Sequence, residues 1–137
     1  MKLAQVGRCR RTCDRILLNG AGYESWLNWI SLPTEHLVDT SASFRDQLIP
    51  LEHETVHQHG PAGEHSHTGN AFTVWLDPEL AIAQARAVET ALSELAPQQR
   101  NSLQQNLATL EKRLEELDEQ QRLAFEPLAQ QPLLFSH

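Results

Sequence analysis

The stretch "DPELAIAQARAVETALSEL", residues 77–95, carries the strongest structural signal in the chain. Asp77 is a good N-cap and Pro78 suits the first helical position, where its missing N–H is no loss. Leu80, Ala83, Ala87 or Val88, Leu92 and Leu95 then recur at helical spacing, which predicts an amphipathic helix that stops before Pro97. From Gln98 to Glu126 the chain has no Gly or Pro, so a second, longer helix of about 40 Å is expected there. Its Leu103, Leu107, Leu110, Leu114 and Leu117 alternate steps of four and three. That ladder is too short for a safe coiled-coil seam, and the expectation is one long helix lying on its own domain. Pro127 and Pro132 release the chain into "LLFSH", an apolar strand with no following helix to cover it, so the architecture is expected to continue past His137.

Upstream, "RILLN" from Arg15 reads as a short buried strand and "NGAG" as its Gly-rich turn. "YESWLNWI" places Trp26, Leu27 and Ile30 at helical spacing before Pro33, and "HLVDTS" from His36 reads as a second strand. "AFTVWL", residues 71–76, has the composition of a third strand. Strand, helix, strand is the rhythm of an α/β layer with parallel strands. Trp26 and Trp75 are expected to anchor the core and Trp29 to be exposed, while the acidic residues after Leu110 belong on the wet face of the long helix.

The segment "HETVHQHGPAGEHSH", from His53 to His67, holds five of the seven histidines. They are internal and interleaved with glutamates, unlike a purification tag. Imidazole is largely neutral at pH 7 and a good ligand for borderline metals. His57 with His59, and His65 with His67, form His-x-His pairs. In an extended segment residues i and i+2 point to one side, so each pair can grip one ion, and Gly60, Pro61 and Gly63 let the pairs fold together. Zinc takes about four such ligands. His53 and His36 are weaker candidates.

With 137 residues, 40% hydrophobic and 21% charged, the chain suits one modest soluble domain. A net charge of -7 argues against general nucleic-acid binding. The basic excess is local, in Lys2, Arg8, Arg10, Arg11 and Arg15. No window is apolar enough to span a membrane, and residues 1–15 lack the apolar core of a secretory signal. Cys9 and Cys13, without neighbouring histidines, are expected to be free thiols.

"ILLNGAGYESWL", "VWLDPELAIAQARAVETAL", the long helix after "LAPQQRNSLQQNL", and "PLLFSH" occur in an order that resembles the zinc and manganese solute-binding proteins of ABC importers, over residues 14–137. Members of the zinc branch often carry a His-rich loop just before the WLDP-like segment. The resemblance implies a partial two-lobe solute-binding fold of the α/β class, helix-rich, with a long inter-lobe helix and the metal in the cleft. Residues 1–95 would be a partial amino-terminal lobe with its His-rich loop at 53–69. Residues 96–127 would be the connecting helix, and residues 128–137 the first strand of a carboxy-terminal lobe. The chain would thus be truncated at both ends, and residues 1–13 fit the family worst.

Family members usually bind the ion with three histidines and a carboxylate. The third histidine follows the first strand of the second lobe, where "LLFSH" puts His137. The second usually lies two residues before the Trp of the WLDP-like segment, and here that position is Thr73, a far weaker zinc ligand. A histidine from the loop, with His65 and His67 nearest, is expected to take its place. The ligands expected overall are therefore His57, His59, His65, His67 and His137.

The function implied is extracytoplasmic, or periplasmic, capture of Zn(II) or Mn(II) and delivery to an ABC permease, by a chain that is monomeric when intact and catalyses nothing. Two rivals differ in kind. A zinc-dependent hydrolase would need an HExxH helix or an HxHxDH run, and neither is present. A helical interaction or oligomerisation protein would assemble through Leu103 to Leu117 regardless of metal.

Overall fold

A computed structural model describes residues 13–51, 69–129, 131 and 132 in full, and residues 55–58 and 64–67 by their backbone. Two three-residue strands, β1 (Ile16–Leu18) and β2 (Leu37–Asp39), pair in parallel, with Ile16 opposite Leu37 and Leu18 opposite Asp39. Parallel strands require a crossover. It begins in three consecutive residues with left-handed backbone, Gly20 (φ 78°), Ala21 (φ 53°) and Gly22 (φ 86°).

The helix expected at residues 23–30 is reduced to a 3₁₀ turn, Ser25–Trp29, none of it buried. Bracketed between the Gly-rich turn and Pro33, the segment is too short to offset the cost of nucleating an α-helix. A second 3₁₀ turn, Thr34–His36, leads into β2, and a third, Ala42–Gln47, follows it.

That third turn inserts Phe44, only 2% exposed, into the core. Phe44 packs with buried Ala21 and Val74, and Leu48, Leu80 and Ala83 close around them. The demand for Val74 in this cluster accounts for the failure of the expected strand at residues 71–76. Residues 74–76 wind instead into a 3₁₀ turn, with Leu76 N–H donating to the Thr73 carbonyl (3.0 Å) and Asp77 N–H to that of Val74 (3.2 Å). The turn buries Val74 and leaves its neighbours outside. Trp75, 43% exposed, is therefore no core anchor, whereas Trp29 is exposed as expected, at 83%.

Helix α1 (Pro78–Leu95) starts where the sequence places it. The Asp77 carboxylate accepts from the N–H groups of Glu79 (2.9 Å) and Leu80 (3.3 Å), and Pro78 occupies the first turn. Helix α2 (Arg100–Phe125) follows after a 3₁₀ turn at Pro97–Gln99. Because α1 packs against β2 on one side and α2 on the other, its apolar surface is wider than a single stripe. Ile82 and Ala91 are buried, while Leu92 and Leu95, expected inside, lie at the edge.

No residue of α2 is fully buried. Leu103, Leu107 and Leu114 are half-buried on the same face as Glu111, whose carboxylate takes the Arg86 guanidinium of α1 at 2.7 Å. Leu110 and Leu117 turn outward. The leucine ladder is thus partly spent inside the molecule, as expected of an amphipathic helix on its own domain.

Cys13 is disulfide-bonded, so the expectation of two free thiols fails. Among the described residues no helix is long and apolar enough to cross a membrane.

Candidate metal-binding ribbon and its root

Each strand of the small sheet is followed by a polar residue, Asn19 after β1 and Thr40 after β2, and the Thr40 hydroxyl donates to the Asn19 carbonyl (3.1 Å). Asn19, next after β1, is the centre. Its backbone N–H donates to Glu24 Oε1 (2.6 Å), and the Gly20 N–H to Glu24 Oε2 (3.1 Å), so one carboxylate holds the start of the left-handed turn. The Asn19 side-chain amide donates to the carbonyls of Phe72 (3.1 Å) and Gly20 (3.2 Å). Gln84, from α1, donates to Asn19 Oδ1 (3.1 Å), to the Asn19 carbonyl (3.0 Å) and to Thr40 Oγ1 (2.9 Å). Thr40 Oγ1 in turn donates to the Leu18 carbonyl (2.8 Å).

Around β2 the Asp39 carboxylate accepts from the Ser41 hydroxyl (2.7 Å), the Ser41 N–H (2.9 Å) and Arg45 (2.8 Å). Burial by itself would raise the Asp39 pKa, but the Arg45 and Ser41 hydrogen bonds outweigh it and hold the carboxyl below its ordinary value. Ser41 Oγ also accepts from the Ala21 N–H (3.0 Å). No buried side-chain polar atom among the described residues lacks a partner. Sequence reasoning missed this network; the "NGAG" turn followed by Glu24, and the turn-forming "DTS", were its available signals.

On this platform rests the root of the histidine segment. Leu51 N–H donates to the Gly69 carbonyl and Ala71 N–H to that of Ile49, both at 2.8 Å, and Pro50 bridges Asn70 in antiparallel sense. The chain then leaves as strand β3 (Thr55–Gln58) and returns as β4 (Glu64–His67). These pair antiparallel, with Thr55 opposite His67, Val56 opposite Ser66, His57 opposite His65 and Gln58 opposite Glu64. Since strand residues alternate between faces, positions 57, 65 and 67 fall on one face of the ribbon. Three of the five expected ligands thus share a face. His59 and His137 lie outside the described residues, as does His53. His36 ends the 3₁₀ turn that leads into β2 and belongs to no metal-holding group among the described residues.

Thr73 is exposed and precedes the 3₁₀ turn that opens α1. It lines a cavity of about 600 Å³ with Ile49, Leu76, Asp77, Asp118 and Gln121, between the ribbon root and the second half of α2. Of the acids there, Asp77 is committed to capping α1. Among the described residues no group of three His, Cys, Asp or Glu side chains is placed to hold a metal ion. Beside the root, Tyr23 packs against Phe72 (5.4 Å between ring centres) and edge-on against Trp75 (5.6 Å).

A family model described as ZnuA, zinc-uptake complex component A, periplasmic, matches residues 7–137. No curated protein sequence matches the chain. Among solved structures it is similar to a crystal structure of ZnuA, with a TM-score of 0.68 and 26% identity over 94% of this chain and 45% of that one. The chain therefore spans less than half the length of that relative. The expected partial solute-binding fold, α/β and helix-rich with a long helix, agrees with this likeness, and the structure adds that its sheet is small, with two strands.

Proposed function

The chain belongs to the family of periplasmic zinc-uptake components, and from that premise we propose that it captures Zn(II) outside the cytoplasmic membrane and delivers it to an ABC permease. Its work is reversible binding without turnover. Residues 1–95 form the part of the amino-terminal lobe that carries the ribbon, residues 96–127 the connecting helix, and residues 128–137 the entry to a second lobe.

The observation that carries the reading is the register of the ribbon, in which His57 faces His65 and His67 follows two positions on. Directly opposed residues in an antiparallel pair have β-carbons about 4.5–5.5 Å apart, close enough for two imidazoles to share one ion. His57, His65 and His67 supply three ligands, and His59, two residues beyond His57, is the fourth. His137 serves at the cleft, where Thr73 offers little. Imidazole favours Zn(II) over Mn(II), which prefers oxygen donors, so zinc is the cargo and Mn(II) at most a weaker competitor.

The helical-assembly alternative is the weaker one. Leu103, Leu107 and Leu114 are half-buried on the face of α2 that meets α1, which leaves only part of the ladder for assembly and favours a monomer.

Native mass spectrometry with added Zn(II) tests the proposal. The wild type is expected to retain zinc at neutral pH, and a variant with His57, His59, His65 and His67 all changed to Ala is expected to lose it. Equal retention by both would remove the ribbon from the mechanism.

A further inference from the structure

A ribbon that binds metal through opposed histidines must first bring its two strands together. Closing a loop of residues 52–68 has an entropic cost, and ordering each residue adds to it. A zinc site on a free loop would meet that whole cost at the moment of binding. Here the lobe meets part of it in advance, because the strands are already paired at Ile49 with Ala71, Pro50 with Asn70 and Leu51 with Gly69.

Each side of this root is fixed to the lobe differently. On the outgoing side Leu48 packs against the buried cluster of Ala21, Phe44 and Val74. On the returning side, the carbonyl of Phe72 accepts from Asn19 Nδ2 at 3.1 Å, one residue after Ala71. Asn19 cannot swing away freely. Its Oδ1 accepts from Gln84 Nε2, its N–H is bound to Glu24, and its carbonyl takes a second bond from Gln84. It is the residue that ties the end of β1, helix α1 and the root together.

We propose that Asn19 is a positioning residue for zinc capture: through Phe72 it fixes the root of the ribbon, and so pre-pairs the strands that carry His57, His65 and His67. This rests on the zinc-capture reading above. Asn19 touches no metal. It acts by lowering the ordering cost that the ion must otherwise overcome.

Zinc titration calorimetry on the full chain at pH 7.5 tests this with three variants. Asn19→Asp keeps an acceptor for Gln84 but sets an oxygen against the Phe72 carbonyl. Gln84→Leu keeps Asn19 and removes the group that orients it. Ile82→Ala is the control, since Ile82 is buried on α1 beside α2 and its loss weakens the fold without touching the root. The first two variants are expected to bind zinc about three- to tenfold more weakly, the worth of roughly one hydrogen bond. Ile82→Ala is expected to melt lower yet bind as the wild type does.

Unchanged affinity in Gln84→Leu and in any folded Asn19→Asp protein, with the wild type binding zinc, would overturn the inference alone. An equal loss in Ile82→Ala would also overturn it, by reducing the effect to general stability. A wild type that binds no zinc would remove the capture reading and this inference together.

Discussion

His57 and His65 are register partners across the two strands of the ribbon. If one ion bridges them, the two imidazoles act as a unit. Changing either to Ala is expected to weaken zinc binding at least about tenfold, or about 1.4 kcal/mol. The double variant should lose less than the sum of the two, because the second change removes a ligand from a site already broken. Calorimetry over the four proteins of the cycle checks this, and strictly additive losses would mean the two residues serve separate ions.

The same ligation has a pH signature. Protons compete with metal for imidazole, whose unperturbed pKa is about 6.5. Zinc affinity is expected to be full at pH 7.5 and much reduced at pH 5.5. Titration at the two values, in a buffer that does not bind zinc, is the measurement; equal affinity would point to carboxylate ligands instead.

How much of this was legible in the sequence depends on whether the signal was local. The start of α1 was legible because Asp77 and Pro78 act within one turn of the helix they open. The strands β1 and β2 were legible as two apolar runs, and their parallel sense was expected from a strand, helix, strand rhythm, although the helix between them is only a 3₁₀ turn. Residues 71–76 were misread because their composition suits a strand equally well. What decides against it is the distant requirement that Val74 meet Phe44 and Ala21. The Asn19 network was invisible for the same reason, since Asn19 and Gln84 meet only once the chain has folded back on itself. For the ribbon, the sequence offered two His-x-His pairs, while the facing of position 57 with 65 needed the register.

Asp39 links acid stability to the platform. Its folded pKa is depressed, so its contribution is present above the unfolded value, near 3.8, and is lost as pH falls through the folded value. Stability is therefore expected to decline below about pH 4, and less steeply in Asp39→Asn, which has no carboxyl to protonate. Urea melts of both proteins between pH 3 and 7 give the comparison. An identical pH dependence would show that the Arg45 and Ser41 contacts do not bear on folding.

Gly20 is expected to be the least replaceable residue of the turn. Its φ of 78° lies in the left-handed region, and a β-carbon there would collide with Asp39 Oδ1 and Ser41 Oγ. Those two atoms are bonded to each other at 2.7 Å, and Asp39 is held further by Arg45, so neither can withdraw without breaking a hydrogen bond. Gly20→Ala should combine backbone strain with the loss of that contact, a cost of about 2–4 kcal/mol. Gly22 gives the matched control. It has a similar φ of 86° but open space where a β-carbon would go, so Gly22→Ala should cost only the strain, about 1 kcal/mol. Thermal melts of the two variants separate the terms: equal losses would mean that the Asp39 and Ser41 side chains yield, and that the turn is held by its backbone alone.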